Sequence, residues 1–543
     1  MKVVVCRLAL ALTALFVAAY CGGQTAAPNT PLQHIIVVVQ ENRTPDNLFL
    51  ADQNLIRRGA HLEGSGYCRN TRIPLTPWRL DACFNPSHAH KGGWLPTYDG
   101  GKMDGACSIP PGLSSGCAVP ACPNSAYAYC PEYTYVQNAT YDGVHGILDP
   151  YFQLAEDYGF ANYMFQTNQG PSFPAHQFLF SGTSAPEAYP GFYYQWFAAE
   201  NLVGGSANGC IAAAGNYVSQ VSPTGNESKG YAPPVPSGAT QGYPCYEHRT
   251  MSDLLNGAGI SWRYYTSGQG SLWTAPNAIN HICQSSGFGG SCEGPAFKNG
   301  HVVSKVGKIL TDLGVNGTST AACQLPKVSW VIPDGAWSDH PGTVGSDGGP
   351  SWVAAIVNAV GGYDNAGNKL PIQCNYWNNT ALLITWDDWG GFYDDVDPIK
   401  TIGQGNAGYP NGGGNGESYV YGFRVPLIVV SPYAKAGYIS GPPNNPVCPS
   451  YYCHDFGSIL NFIEYAFGTN GNPIGTVGPE QWPYADFFAQ DASFGPQHYS
   501  LHDFFEFNFP RPFFPVRGAK YATSCFLNPK SCFATFPEAA DSD

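Results

Sequence analysis

Positive charge is scarce in this chain. Its 25 lysines and arginines face 39 aspartates and glutamates, for a formal net charge of −14. A nucleic-acid surface needs basic stripes against the phosphate backbone, so that partner class is excluded. Any anionic small molecule must then be held by a local positive centre. Long apolar runs are also missing. The first residues, MKVVVCRLALALTALFVAAYCGG, hold an apolar stretch from Leu8 to Tyr20 that is too short for an ordinary membrane span, and nothing later is longer. Early basic residues, that stretch and the small residues after it have the layout of a secretory signal peptide over residues 1–23. The expectation is a secreted or periplasmic protein. Cys21 would suit lipid attachment, but bulky Tyr20 stands where such sites carry a small residue, so cleavage and release is the expected route. Heptads, internal repeats and linker-like runs are absent, and residues 24–543 read as one elaborated domain with a large core. Paired CxxC or Cys–His spacings are absent, which removes a structural zinc site. No segment points to a protein partner.

Cysteine itself is plentiful. Of 18 cysteines, Cys6 and Cys21 lie in or beside the leader, and the 16 that remain form an even set suited to an oxidising compartment. Pairing of sequence neighbours is the expected pattern: Cys283 with Cys292, Cys448 with Cys453, Cys525 with Cys532, and pairs within the group Cys107, Cys117, Cys122 and Cys130. With 65 glycines, 46 prolines and 14% aromatic residues, the loops read as long, turn-rich and ordered, because disordered chains are poor in aromatics.

Five short apolar runs end in polar residues. HIIVVV leads to Gln40, Glu41 and Asn42; ANYMF to Gln166 and then Asn168 through Ser172; VSWVI to Asp334 and then Ser338, Asp339 and His340; ALLITW to Asp387 and Asp388; VPLIVV to Ser431. Runs of four to six apolar residues without polar alternation suit strands buried on both faces, hence a parallel sheet between helices. Helical patterns separate them: DPYFQLAEDYG, MSDLLNGAG, GPSWVAAIVNAVGG, and HDFGSILNFIEYAFG with an aspartate near its start and a glycine at its end. Alternating strands and helices imply an α/β sandwich. Ligands of such sheets bind beyond the carboxyl ends of the strands, the end at which all five runs are expected to place their polar residues.

The groups collected there are Glu41, Asn42, Ser172, Asp387 and Asp388: three carboxylates, an amide and a hydroxyl. Carboxylates packed together repel and take up protons unless a cation joins them. All five offer oxygen, the donor that hard divalent ions favour, and one such ion would supply the missing positive centre. Each group also has a plainer reading. Glu41 and Asn42 can be a polar pair at a strand end, Asp387 and Asp388 a turn or helix cap, and Ser172 in NQGPSFPAHQF an N-cap ahead of a helix. A helix start also offers N–H groups to a phosphate, and a metal beside a hydroxyl makes it a nucleophile.

Other constellations fare worse. Gly112-Leu113-Ser114-Ser115-Gly116 fits a nucleophile elbow in letters only, since no strand precedes it. As adjacent strand residues, Asp387 and Asp388 would point to opposite faces, which does not suit a glycosidase pair across a sugar ring. The many aromatics would suit sugar stacking, so a non-catalytic carbohydrate-binding protein is the rival from another class.

HIIVVVQENRTPDNLF resembles the opening motif of the bacterial phospholipase C and acid phosphatase family of phosphoesterases. The resemblance continues in order through GGKMDG (100–105), GPSFPAHQFLFSGT (170–183), SDHPG (338–342), ITWDDWGGFYDDVDP (384–398), YGFRVPLIVVSPYA (421–434) and HDFGSILNFIE (454–464), from about residue 32 to about residue 507. It implies the alkaline-phosphatase-like α/β fold, with Glu41, Asn42, Asp387 and Asp388 holding one divalent metal ion. Ser172 would serve as both ligand and nucleophile. His340, His176 and His281 would cradle the phosphate or protonate the leaving group, with His88 or His90 of NPSHAHKGGW beside them, while His454 caps a helix. The implied substrate is a phosphate ester. Longer relatives acting on phospholipids carry extra C-terminal β domains, and about 36 residues follow Phe507 here, so a phosphomonoester is expected ahead of a phospholipid.

Overall fold

The computed structural model describes residues 26–186, 197–203, 207–221, 227–229, 241–342, 344–399, 420–443, 445, 447–449, 452–475 and 500–533. The signal peptide read over residues 1–23, with Cys21, lies outside the described residues.

Eight strands form the central sheet: β1 (His34–Gln40), β2 (Gly159–Ala161), β3 (Trp262–Tyr265), β4 (Val302–Val303), β5 (Val328–Val331), β6 (Thr380–Trp386), β7 (Leu427–Val430) and β8 (Tyr438–Ser440). Their spatial order is β4-β3-β5-β1-β6-β7-β2-β8. All run parallel except β7, which is antiparallel to both its neighbours. Ile35 through Val39 are wholly buried, as are Val328 and Val331, and residues 381–384 of β6; a strand covered on both faces has no need of polar alternation. The main helices are α1 (Asp149–Asp157), α2 (Ser172–Ser181), α3 (Met251–Gly257), α4 (Gly349–Val360) and α5 (Phe456–Ala466). Thr250 and Asp253 form a capping box on α3, and Asp455 and Ser458 form one on α5.

The two faces follow from the period of two along each strand. Val37 pairs with Trp330, whose indole donates to Leu179 O on α2 (3.1 Å) and whose ring meets Phe180 (5.3 Å). Gln40 pairs with Trp386, whose ring meets Tyr151 of α1 (5.2 Å). Val37 and Gln40 are three positions apart and so point to opposite faces: α2 covers one and α1 the other. Helices α3 and α5 pack on α2, and α4 packs on α1. This is the mostly parallel α/β sandwich of the alkaline-phosphatase-like class.

Two of the five apolar runs differ from expectation. VPLIVV ends at the opposite edge of the sheet, because β7 is antiparallel; Ser431 Oγ there donates to Thr380 O at the start of β6 (3.0 Å). ANYMF is split: Ala161 closes β2, while Met164–Phe165 leaves the sheet and pairs with His454–Asp455. A short apolar run carries neither direction nor sheet identity, because burial on both faces looks the same in either case.

Among the described residues eight disulfides brace the loops. Cys122–Cys130, Cys210–Cys245, Cys283–Cys292, Cys323–Cys374, Cys448–Cys453 and Cys525–Cys532 join cysteines consecutive in sequence. Cys68–Cys107 and Cys83–Cys117 do not: their loops interleave, which corrects the neighbour-pairing expectation there. The segment between β1 and α1, held by these two and by Cys122–Cys130, carries His88. Among the described residues no helix is long and apolar enough to cross a membrane.

Candidate active site

At the end of β1 the alternation of faces sorts the side chains. Gln40 turns to the α1 face, where its Nε2 donates to Tyr151 Oη (3.0 Å) and Gly349 O (3.3 Å). Glu41 turns to the α2 face. The next residue, Asn42, is left-handed (φ 62°), a conformation that asparagine tolerates better than most side chains. Its N–H donates to Asp387 Oδ1 (3.0 Å), which also accepts from Asp388 N–H (2.7 Å). Strand β6 has already ended at Trp386, so Asp387 and Asp388 lie in a turn rather than on opposite faces of a strand. Gly390 (φ 64°) closes the turn and donates its N–H to Asp388 Oδ1 (2.7 Å). A Cβ on Gly390 would stand 2.3 Å from Asn42 O, so the two strand ends approach as closely as they do only because that residue has no side chain.

Ser172 opens α2, with Pro171 at the cap position. Its Oγ lies 3.5 Å from Glu41 Oε2 and 3.4 Å from Asp388 Oδ2. One turn along the same helix, His176 Nε2 lies 3.2 Å from Glu41 Oε1 and 3.8 Å from Asp387 Oδ2. Glu41, Asn42, Ser172, His176, Asp387 and Asp388 are all 0% exposed. The structure thus brings together the five oxygen-bearing residues read from the strand and helix ends. It sets His176 against their carboxylates.

Three buried carboxylates need compensation. Arg43, the nearest cation in sequence, is turned elsewhere: it donates to the carbonyls of Asp339 (2.7 Å) and Leu80 (2.7 Å) and lies over Phe392. Burial pulls its pKa down to about 10. The donor atoms fit a hard divalent ion. Asn42 Oδ1 and Asp387 Oδ2 are buried and accept no hydrogen bond among the described residues. Ligand atoms of Glu41, His176 and Asp387 lie within 4.8 Å of one another. The residues present could therefore hold a metal ion.

Of the two histidines in NPSHAHKGGW, the structure brings His88 to this cluster. Its Nε2 is 3.0 Å from Asn42 Nδ2, and its Nδ1 is 3.0 Å from Pro86 O. A proton on Nδ1, given to Pro86, makes Nε2 the acceptor for the Asn42 amide and leaves Asn42 Oδ1 as the end available to a cation. His90 faces away, its Nδ1 3.1 Å from Glu227 Oε2 and its ring stacked on Trp94. The His340 ring lies 6.2 Å from that of His88, and its Nδ1 is 2.6 Å from Pro341 O. His281 is not brought to the cluster. It sits between Glu247 (2.5 Å) and Asp253 (3.1 Å), and although burial opposes its charge, those carboxylates hold its pKa up at about 10. His454 lies two residues ahead of α5, 3.2 Å from Ser440 Oγ; Asp455 is the cap.

Sequence reasoning missed three neighbours. The Trp273 ring lies 6.4 Å from that of His176 and 6.1 Å from that of His340, in no pattern that marks it; Trp389, which meets His88 (6.2 Å), stands inside ITWDDWGGFYDDVDP, a block read only for its aspartates. Asp339 braces the strand ends from the α1 face. Its Oδ2 accepts from Tyr151 Oη (2.7 Å) and Trp386 Nε1 (3.1 Å), and burial pushes its carboxyl up to about 6. It stands inside SDHPG, a block read only for its histidine.

Comparison with known proteins adds an independent line. Residues 201 in number align at 29% identity with "Phospholipase C A" of Mycobacterium tuberculosis, covering 35% of each chain. "Non-hemolytic phospholipase C" of Pseudomonas aeruginosa aligns at 24% over 244 residues, 41% of this chain and 30% of that one. "Non-specific phospholipase C6" of Arabidopsis thaliana aligns at 38% over 103 residues, 18% of each chain. These alignments span about a third or less of each relative's length. The sequence model of the Phosphoesterase family matches residues 141–470, more than half of the 543. This chain therefore belongs to the Phosphoesterase family.

Proposed function

We propose that the protein is an extracytoplasmic, metal-dependent phosphoesterase of the acid phosphatase and phospholipase C type, secreted or periplasmic, that works through a phosphoserine on Ser172. The observation that carries this reading is the Ser172 hydroxyl at a helix start, 3.5 and 3.4 Å from two buried carboxylates. Glu41 and Asn42 precede the span matched by the family, yet they complete the site with residues inside it. That convergence supports residues 24–543 acting as one catalytic domain.

Glu41, Asn42, Ser172, Asp387 and Asp388 would hold one divalent ion, with His176 against them. When bound, the ion supplies positive charge to the phosphate and lowers the pKa of a nearby hydroxyl. Ser172 Oγ attacks phosphorus, and Asp388 Oδ2 is the atom placed to receive its proton. The ring of His340 is held by its Nδ1–H bond to Pro341 O, and Nε2 passes a proton to the departing alcohol. His88 orients Asn42. Water then cleaves the phosphoserine, freeing phosphate and restoring the hydroxyl. Phosphoryl transfer asks mainly for positioning and charge, which this arrangement supplies.

The relatives' names favour a second substrate reading, phospholipid head groups, beside the phosphomonoester. Family membership weighs against a non-catalytic carbohydrate-binding role. A parallel assay of a chromogenic phosphomonoester, a phosphodiester and phosphatidylcholine micelles separates the substrates. Ser172→Ala is expected to lower turnover by roughly a thousandfold or more with the fold retained. Acid quenching of wild type with labelled substrate is expected to leave label on the peptide GPSFPAHQF. An active Ser172→Ala enzyme, or label elsewhere, refutes the assignment.

A further inference from the structure

We infer that the indole N–H of Trp273 is a hydrogen-bond donor to the phosphoryl group of the substrate; the inference rests on the phosphoesterase reading above. Trp273 is 2% exposed, and its Nε1 is buried with no acceptor among the described residues. An indole N–H only donates, so its missing partner must be an acceptor. Leaving such a group unmet costs about 1–3 kcal/mol, which a ligand oxygen would recover.

Position separates this N–H, and the equally unmet Trp389 Nε1 beside His88, from those of the apolar core. Trp352 also has a buried N–H without an acceptor, but its ring packs on Trp337 and Phe526 in the apolar core. The Trp273 ring instead lies 6.4 Å from that of His176, which touches the carboxylates, and 6.1 Å from that of His340, whose ring is 6.2 Å from that of His88. Its backbone is tied down: Trp273 O accepts from Tyr264 Oη on β3 (2.7 Å), and Trp273 N–H donates to Ser271 Oγ (3.2 Å). The donor is thus held by the sheet rather than by a loose loop.

The acceptor chemistry follows from where the ring lies. A phosphoryl group attacked by Ser172, with its leaving oxygen toward His340, would bring its remaining oxygens near the rings of His176 and Trp273. Charge in phosphoryl transfer is spread over those oxygens. A fixed neutral donor stabilises that charge without placing another cation beside His176, and it needs no reorganisation during the reaction.

The test removes one N–H and little else. Trp273→Phe keeps an aromatic ring, and 3-benzothienylalanine placed at 273 keeps the whole shape, so the second variant serves if the first fails to fold. The expected result is a fall in kcat/KM for a phosphomonoester of roughly ten- to a hundredfold, the worth of one hydrogen bond to a charged acceptor. Binding of inorganic phosphate and inhibition by vanadate are expected to weaken in step, with the melting temperature unchanged or higher. Trp352→Phe, the core control, leaves all three readouts as in wild type. If wild type hydrolyses the ester and the benzothienyl variant matches it within about twofold in kcat/KM, phosphate binding and vanadate inhibition, a factor smaller than any hydrogen bond of this kind, the donor role is overturned and the phosphoesterase reading stands. If wild type neither binds phosphate nor hydrolyses a phosphoester, both fall.

Discussion

Single residues set the limits of this site. Asn42 bends left-handed so that its N–H meets Asp387, and Gly390 lets the opposing turn come close to its carbonyl. Both residue types are visible in the sequence; the contact between them is not. Burial also acts on single groups away from the site. Glu132 is 1% exposed, its Oε2 has no hydrogen-bond partner among the described residues, and burial raises its pKa well above the ordinary 4.5. The folded state therefore holds this proton more tightly than the unfolded chain does. Its contribution is fully present below about 4.5 and is lost as pH rises through the raised folded value. Glu132→Gln, a neutral mimic of the protonated form, is expected to match wild type in acid and to exceed it at neutral pH by about 1–3 kcal/mol. Denaturant melts of both proteins at acid and neutral pH check this; parallel stability at every pH would count against it.

At the scale of elements, strand ends do the placing. Glu41 follows β1, Asp387 and Asp388 follow β6, and Ser172 opens α2, the helix on the face to which Glu41 points. Behind them a second buried set holds the following loop. Arg424 donates to Asp394 (2.9 Å), Asp395 (3.0 Å) and Asp46 (3.4 Å), so the segment after Gly390 and Gly391 is tied to the short helix after Asn42. Those acids face a guanidinium, whereas Glu41 and Asp387 face the imidazole of His176 and offer oxygens suited to a divalent ion. Removing a divalent ion should therefore cost stability as well as activity. Dialysis against a strong chelator is expected to abolish hydrolysis and to lower the melting temperature by several degrees, the scale of the ~2.7 kcal/mol from an ion at a hundred times its Kd. Returning the ion restores both. Full activity in a sample shown metal-free by elemental analysis would sink the idea. Helices α1 and α3 to α5 were legible from their periodicity and caps, because those signals are local. The reversed direction of β7 was not, since an apolar run reads the same both ways.

The described residues join a mostly parallel sheet, whose contacts are long in range, to loops stapled by eight disulfides. Mass mapping under non-reducing conditions is expected to find the peptides of Cys68 and Cys107 linked, and those of Cys83 and Cys117. Links of Cys68 to Cys83 and of Cys107 to Cys117 would show that the first loop is threaded differently. The amino-acid sequence by itself determined the α/β class, the strand ends rich in oxygen donors, the helix that Ser172 opens, and an even set of cysteines. Each is written in the chemistry and period of a few adjacent residues. Only the tertiary structure decided that His88 rather than His90 meets Asn42, that His176 faces the carboxylates, that His281 stays with Glu247 and Asp253, that two disulfides interleave, and that the Trp273 ring comes near those of His176 and His340. Those outcomes depend on the paths of long loops and on contacts between residues far apart in the chain. No local period encodes such contacts; packing around a shared core selects them.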